Sequence, residues 1–229
     1  MAIIKKYRSE VVSVVNYIDG IYTVQFRSLE KQYKYNPGQF LHIAIDEYNP
    51  SMQWPDSRCF SMQSNPDDEL LKITFSVKGD FTKRMSHLLT PGREVYLKLP
   101  YGDLFLKDYR DKNCVFIAGG TGITPFLSLF THTSFSEFSN PRLYFGVRDV
   151  SHNLYQKDFA RAVQINTNFS VTIIDEKKYG KLDVQKIFSE NKPSFMYFIS
   201  GPPVMIKNFR IFLLNQGVVG QNIVTDDWE

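Results

Sequence analysis

The feature that most constrains this chain is a change of texture near residue 113. Before it, apolar residues come in short runs at 10–18, 21–27, 39–45, 70–77 and 94–97. Turn residues break them at Asp19-Gly20, Asn36-Pro37-Gly38, Asn65-Pro66 and Pro91-Gly92. Short strands at this spacing predict an antiparallel barrel or sandwich. One helix is predicted among them, over 82–89, because Phe81, Met85, Leu88 and Leu89 fall at helical spacing. After residue 113, strand candidates at 114–118, 142–145, 169–174, 195–200 and 222–225 alternate with helical segments at 124–131, 153–165, 184–189 and 204–215. That alternation predicts parallel strands with right-handed crossovers, and the expected architecture is a doubly wound sheet of strand order 3-2-1-4-5. Two domains are therefore expected, 1–108 and 113–229, joined by the charged stretch 107–112.

Composition narrows the function classes. At 229 residues and 43% hydrophobic, the chain can bury real cores. Its start, MAIIKKYRSE, lacks a secretory apolar region, and no run approaches the roughly 18 apolar residues of a membrane span. A cytoplasmic protein is the expectation. The net charge of +3 is spread along the chain without the basic clustering of a nucleic-acid footprint. Cys59 and Cys114 are too few for an iron–sulfur cluster or a structural zinc site, and both are expected as reduced thiols. His42, His87, His132 and His152 lack ligand spacing, so no metal site is expected.

Three segments could carry chemistry. In the first, a buried-type strand from Cys114 runs into Gly119-Gly120-Thr121-Gly122-Ile123-Thr124-Pro125, with Thr124 expected as helix N-cap and Pro125 at the first helical position. Glycines let backbone approach a pyrophosphate, and a helix N-terminus offers unpaired N–H groups. Pro125 stands where the full dinucleotide fingerprint has its last glycine. The second is Ser200-Gly201-Pro202-Pro203, another strand-to-helix junction. In a 3-2-1-4-5 sheet the first and fourth strands are neighbours, so both junctions line one crevice. The third is Arg58-Cys59-Phe60-Ser61, which could pair a phosphate, cover a ring face and donate to a ring nitrogen.

Together and in order, these segments resemble the ferredoxin–NADP reductase superfamily over nearly the whole chain. Arg58 to Ser61 match its R-x-[YF]-[ST] flavin motif, and Phe75-Ser76-Val77-Lys78-Gly79-Asp80-Phe81-Thr82 looks like its second flavin segment. Pro37-Gly38-Gln39-Phe40, Pro91-Gly92-Arg93-Glu94-Val95 and Pro100-Tyr101-Gly102 look like its barrel punctuation. Gly119 to Pro125 match G-G-T-G-I-T-P, and Ser200 to Pro203 match [CS]-G-P-P.

The resemblance implies a flavin barrel joined to a nicotinamide-nucleotide domain, with hydride passing from NAD(P)H to the flavin and electrons to a separate acceptor. Arg58 would pair the flavin phosphate, Phe60 would cover one flavin face, Ser61 would bond near N5, and Thr82 would help bind the phosphate at its helix start. Cys59, Phe75, Ser76, Val77, Lys78 and Phe81 would complete that site. Gly119, Gly120, Thr121, Gly122, Thr124, Pro125, Gly201 and Pro202 would hold the nucleotide. Ser200 would lie near the nicotinamide, and Trp228 would lie on the flavin. Phe60 and Ser200 stand where many members carry Tyr and Cys.

FAD is expected over FMN on family frequency. Asp175 and Glu176 at the end of the third parallel strand lean toward NADH by accepting ribose hydroxyls, while Arg148 and Lys177-Lys178 could accommodate a 2′-phosphate. The acceptor would be a ferredoxin, flavodoxin, oxygenase or cytochrome, or free flavin or a ferric chelate. A basic patch of Lys83, Arg84 and Arg93 could face an acidic partner, although a solvated face is the simpler reading. The alternative from another class is a flavin-binding electron-transfer subunit, or a protein that binds a partner according to redox state with little turnover. A nucleotide-binding module without flavin would leave Arg58 to Ser61 unexplained.

Overall fold

The first strand is longer than its apolar run. In the computed structural model, which describes residues 3–18, 20–109 and 112–226, β1 spans Lys5–Ile18. The expected start at residue 10 missed the stretch from Lys5 to Ser9, where Tyr7 and Ser9 point inward between exposed residues. Strand alternation is present there, but lysines and arginine dominate the composition. β1 pairs antiparallel with β2 (Ile21–Ser28) and with β6 (Glu94–Tyr101). β3 (Phe40–Ala44), β4 (Ser57–Ser61) and β5 (Leu71–Ser76) complete a six-stranded antiparallel sheet of order β4-β3-β6-β1-β2-β5. Just beyond β4, Gln63 N donates to Lys72 O at 2.8 Å, so the two end strands approach and the sheet curls toward a barrel. Phe26, Leu41, Ile43, Ile73, Val95 and Leu97 fill its interior, and α1 (Asp80–Leu88) adds buried Phe81 and Met85.

The chain divides into two compact units between Asp103 and Leu104, ahead of the charged 107–112 stretch. Leu104 and Tyr109 are buried in the core of the second unit, which draws the preceding residues into it.

That second unit is built on β7 (Asn113–Gly119), α2 (Thr124–Phe130), β8 (Ser139–Val147), α3 (Gln156–Ile165) and β9 (Ser170–Asp175). It continues through α4 (Glu176–Tyr179), α5 (Val184–Ser189), β10 (Met196–Ser200), α6 (Pro203–Asn215) and β11 (Ile223–Thr225). All pairings are parallel and the order is β9-β8-β7-β10-β11, the expected 3-2-1-4-5. β7 and β10 are buried on both faces, as central parallel strands must be.

The two faces differ in chemistry. One packs rings: Phe116 stacks on Phe198 at 5.0 Å and meets Phe126 and Phe130 at 5.3 and 5.0 Å. The other packs Val115, Ile117, Ile199, Ile206 and Leu213 with Phe209 and Tyr197.

Several ends differ from expectation. α3 starts at Gln156 because Asn153 spends its side chain accepting from Tyr155 N at 3.2 Å, closing a turn instead of a helix. α4 was not foreseen; Asp175 caps it by accepting from Lys177 N at 3.0 Å.

Candidate functional site

In the first unit, the strand β4 carries the Arg58 to Ser61 segment at the end of the sheet. Arg58 is half-exposed; its Nη1 donates to Asp56 Oδ1 at 2.5 Å and to Ser57 O at 2.8 Å. Its guanidinium lies 4.9 Å from the centre of the Phe81 ring, which fixes it over the first turn of α1. The first intrahelical bond of α1 is Lys83 N to Gly79 O, so the N–H groups of Asp80, Phe81 and Thr82 precede the helical ladder. A guanidinium above a turn of orphan donors is an arrangement suited to phosphate. Asp80 in that turn favours the helix dipole and opposes a bound anion, and Arg58 compensates for it only by exchanging its partner Asp56 for the anion.

Thr82 has a different place from the expected one. It is the third helical residue; its Oγ1 accepts from Lys78 N at 2.9 Å and Gly79 N at 3.1 Å and donates to Gly79 O at 3.0 Å. Its hydroxyl therefore shapes the loop, and those two N–H groups are spent on it. Lys78 itself is exposed, and Val77 N donates to Gly20 O at 2.8 Å.

Phe60 is half-buried and tilts against Phe75 at 5.9 Å, and Phe75 stacks on Tyr22 at 5.4 Å. Ser61 pairs with Phe40 across the sheet and Cys59 with His42, so both sit on the opposite face from Arg58 and Phe60. The Ser61 hydroxyl makes no hydrogen bond among the described residues, and it is partly exposed. Ser76 closes β5 half-buried.

In the second unit, the glycine junction starts earlier than Thr124. A 3-10 turn over Gly120–Ile123, entered from Gly119, runs directly into α2. Thr124 is thus inside the helical run and not its cap; its Oγ1 donates back to Thr121 O at 2.9 Å. Gly120 takes φ 56° there, which frees the turn to begin at the strand's end. A β-carbon on Gly120 would meet nothing within 4 Å, so this backbone is open to a ligand.

The second junction presses on the first. A β-carbon on Gly122 would lie 2.6 Å from both Cα and N of Gly201, and one on Gly119 would lie 3.1 Å from Pro202 Cδ. Gly201 itself has φ 154°. The two loops expected to share a crevice therefore touch. Their glycines serve that contact.

Ser200 is 2% exposed, and its Oγ donates to Asp226 Oδ2 at 2.9 Å. Asp226 is held in turn by its N–H to Ile199 O at 2.9 Å. Sequence reasoning passed over Asp226; its signal was an acid at the end of the terminal strand, which strand order sets beside Ser200. Trp228 lies outside the described residues.

Asp175 departs from its expected role. It is 6% exposed, and its carboxylate accepts from Lys177 N and, at 3.3 Å, from Val150 N, so it faces its own loop instead of a ribose. Beside it, Lys177 Nζ donates to Asp149 Oδ2 at 2.7 Å; this bond and those from Ser151 hold the Asp149 carboxyl far below the usual range and raise Lys177. Arg148 is exposed and has no ion-pair partner among the described residues. Tyr179, also unforeseen, is 79% exposed on α4. Of the expected basic patch, Arg84 is paired with Asp46 at 2.5 Å and Arg93 donates to Ile45 O at 3.0 Å, leaving Lys83 alone.

Residues 116–210 match the oxidoreductase NAD-binding domain family. The reductase component of propane 2-monooxygenase from Mycolicibacterium smegmatis is 32% identical over 160 residues, which is 66% of this chain and 43% of that protein. The chain thus spans less than half the length of that relative. A ferredoxin–NADP+ reductase from Neisseria gonorrhoeae, solved with FAD and NADP, superposes with a TM-score of 0.79 at 18% identity, covering 97% of this chain and 98% of that one. An Amycolatopsis cytochrome P450 reductase reaches 0.83 at 18% identity over 98% of this chain and 70% of its own. Residues 116–210 thus match the oxidoreductase NAD-binding domain family, and the antiparallel barrel followed by the 3-2-1-4-5 sheet is the fold shared with the solved ferredoxin–NADP+ reductase.

Proposed function

We propose that this protein is an NAD(P)H-dependent flavin oxidoreductase that passes electrons to a separate acceptor. The carrying observation is a pair of turns, one in each unit: the first turn of α1 beneath Arg58, whose leading N–H groups precede the helical ladder, and the 120–123 turn, open beside Gly120 and braced against Gly201. Bound FAD would supply the redox chemistry. The chain's own residues bind and orient: Arg58 and the N–H groups of Asp80 and Phe81 take its phosphate, Phe60 offers a ring face, and Ser61 offers an uncommitted hydroxyl. In the second unit, Gly120 and Thr121 approach the nucleotide phosphates, and the exposed ring of Tyr179 is available to a nucleotide base. The likeness to a monooxygenase reductase component favours an oxygenase component as acceptor.

Donor preference turns on Arg148. With the Asp175 carboxylate facing inward, the lean toward NADH loses its ground, and the free guanidinium of Arg148 favours acceptance of a 2′-phosphate. Arg148→Ala should raise KM for NADPH about tenfold, the worth of one charge-assisted contact, and leave NADH unaffected. Equal effects on both donors would remove it from this role.

The whole reading is tested by recording the absorption spectrum of the purified protein before and after anaerobic NADH and NADPH. Bound flavin that bleaches, with turnover on a soluble dye, supports it. A colourless protein that takes up no flavin rejects it, and bleaching without turnover supports an electron-transfer subunit.

A further inference from the structure

Hairpin loops are ordinarily about 2–5 residues long, but β3 and β4 are joined by residues 45–56. This loop lays Tyr48 and Trp54 against the outer face of the barrel. Tyr48 meets Trp54 at 5.1 Å and Tyr96 at 5.7 Å, and Trp54 Nε1 donates to Ser57 Oγ at 3.1 Å. The site borders a second group of rings, in which His42 and Tyr101 meet at 4.7 Å.

Two ammonium groups converge on this platform. Lys6 and Lys98 are direct cross-strand partners of β1 and β6. Their Nζ atoms lie 5.8 and 5.9 Å from the centre of the Trp54 ring. Lys6 also lies 4.6 Å from the Tyr48 ring centre and donates to its hydroxyl. Like charges directly opposite each other destabilise a sheet. Neither lysine has a carboxylate within ion-pair distance among the described residues, whereas nearby Arg8, Arg58 and Arg84 are each paired. The rings recover part of the repulsion by cation–π attraction, but the two positive charges remain unneutralised on an accessible face.

We propose that Lys6 and Lys98, converging over Trp54, form a binding site for a phosphate group. One carboxylate would neutralise a single charge, whereas a phosphate dianion matches both ammonium groups and presents enough acceptor oxygens for each. The phosphate can be inorganic or carried by a small monoester, whose organic part would rest on the neighbouring rings.

Trp54 reports on the site directly. In a Trp228→Phe background its emission is the only indole signal, because the chain has two tryptophans. Inorganic phosphate and AMP are titrated separately, with ionic strength held by chloride. A saturable change with either supports the site; tighter AMP binding assigns it to a monoester, and equal or tighter phosphate binding to the free ion. Lys6→Gln with Lys98→Gln should weaken the response at least about tenfold. Lys5→Gln with Lys31→Gln should leave it intact. An unsaturable change, or the same loss in both double variants, would overturn the proposal. None of these readouts depends on bound flavin.

Discussion

Gly122 and Gly201 meet backbone to backbone: a β-carbon on Gly122 would fall 2.6 Å from Gly201 Cα. What it strikes is main chain and not the end of a flexible side chain, so the neighbour cannot yield cheaply. Gly122→Ala should cost about 1–3 kcal/mol of stability through overpacking and raise KM for the nicotinamide nucleotide, since both loops shift. Urea denaturation and steady-state kinetics check this; unchanged values for both would show that the loops part freely.

Ser200→Ala removes the donor to a buried carboxylate. The expected loss is about 1–3 kcal/mol, the usual cost of stripping a partner from a buried acceptor. Chemical denaturation measures it, and a loss below about 0.5 kcal/mol would mean that the hydroxyl carries little of the burden of holding Asp226.

Ser61→Ala should behave in the opposite way. Its hydroxyl has no partner among the described residues, so stability should hold within about 0.5 kcal/mol. Flavin reduction, followed by stopped flow, should slow about tenfold, the worth of one hydrogen bond made during the reaction. Reduction at the original rate would reject the role.

The Asp149–Lys177 bond sets a pH dependence. Lys177 and the Ser151 groups lower the Asp149 pKa, so the bond's contribution is present above the ordinary aspartate range and is lost as pH falls toward the depressed folded value. The raised Lys177 works from the other side: its share is present below the ordinary lysine value and fades as pH climbs through the folded one. Asp149→Asn should therefore flatten the acid limb of amide exchange at Ser151. An unchanged profile would mean that the bond does not order this loop.

Thiol reactivity should separate the cysteines. Burial pushes the Cys114 thiol up to about 12, while Cys59 is partly exposed. In the folded protein at about pH 8, a thiol reagent should modify Cys59 alone, because only thiolate reacts. Equal labelling of Cys114 would show that the second unit opens readily.

Much of this was legible in the sequence where periodicity and glycine chemistry act locally. Parallel strands with right-handed crossovers followed from strand–helix alternation, and with the order 3-2-1-4-5 the two glycine junctions were expected at one crevice, where Gly122 and Gly201 meet. What stayed hidden depends on side-chain direction. Asp175 has the right position but turns its carboxylate onto the N–H groups of Lys177 and Val150. Thr82 likewise spends its hydroxyl on its own loop, and Arg84 finds Asp46 far away in the chain. A residue type fixes what a group can bond, but only the folded chain decides which bond it makes.

The unequal faces of the parallel sheet set different rules for how this sequence can drift over generations. On the side of Ile117, Ile199 and Leu213, exchanges among aliphatic residues alter volume by a methyl or two and can be accepted one at a time. Around Phe116, where four rings interlock, any single replacement opens a hole or forces a clash that only a second, matching change repairs. Descendants of this chain should therefore vary freely on one side of the sheet and change in linked pairs on the other.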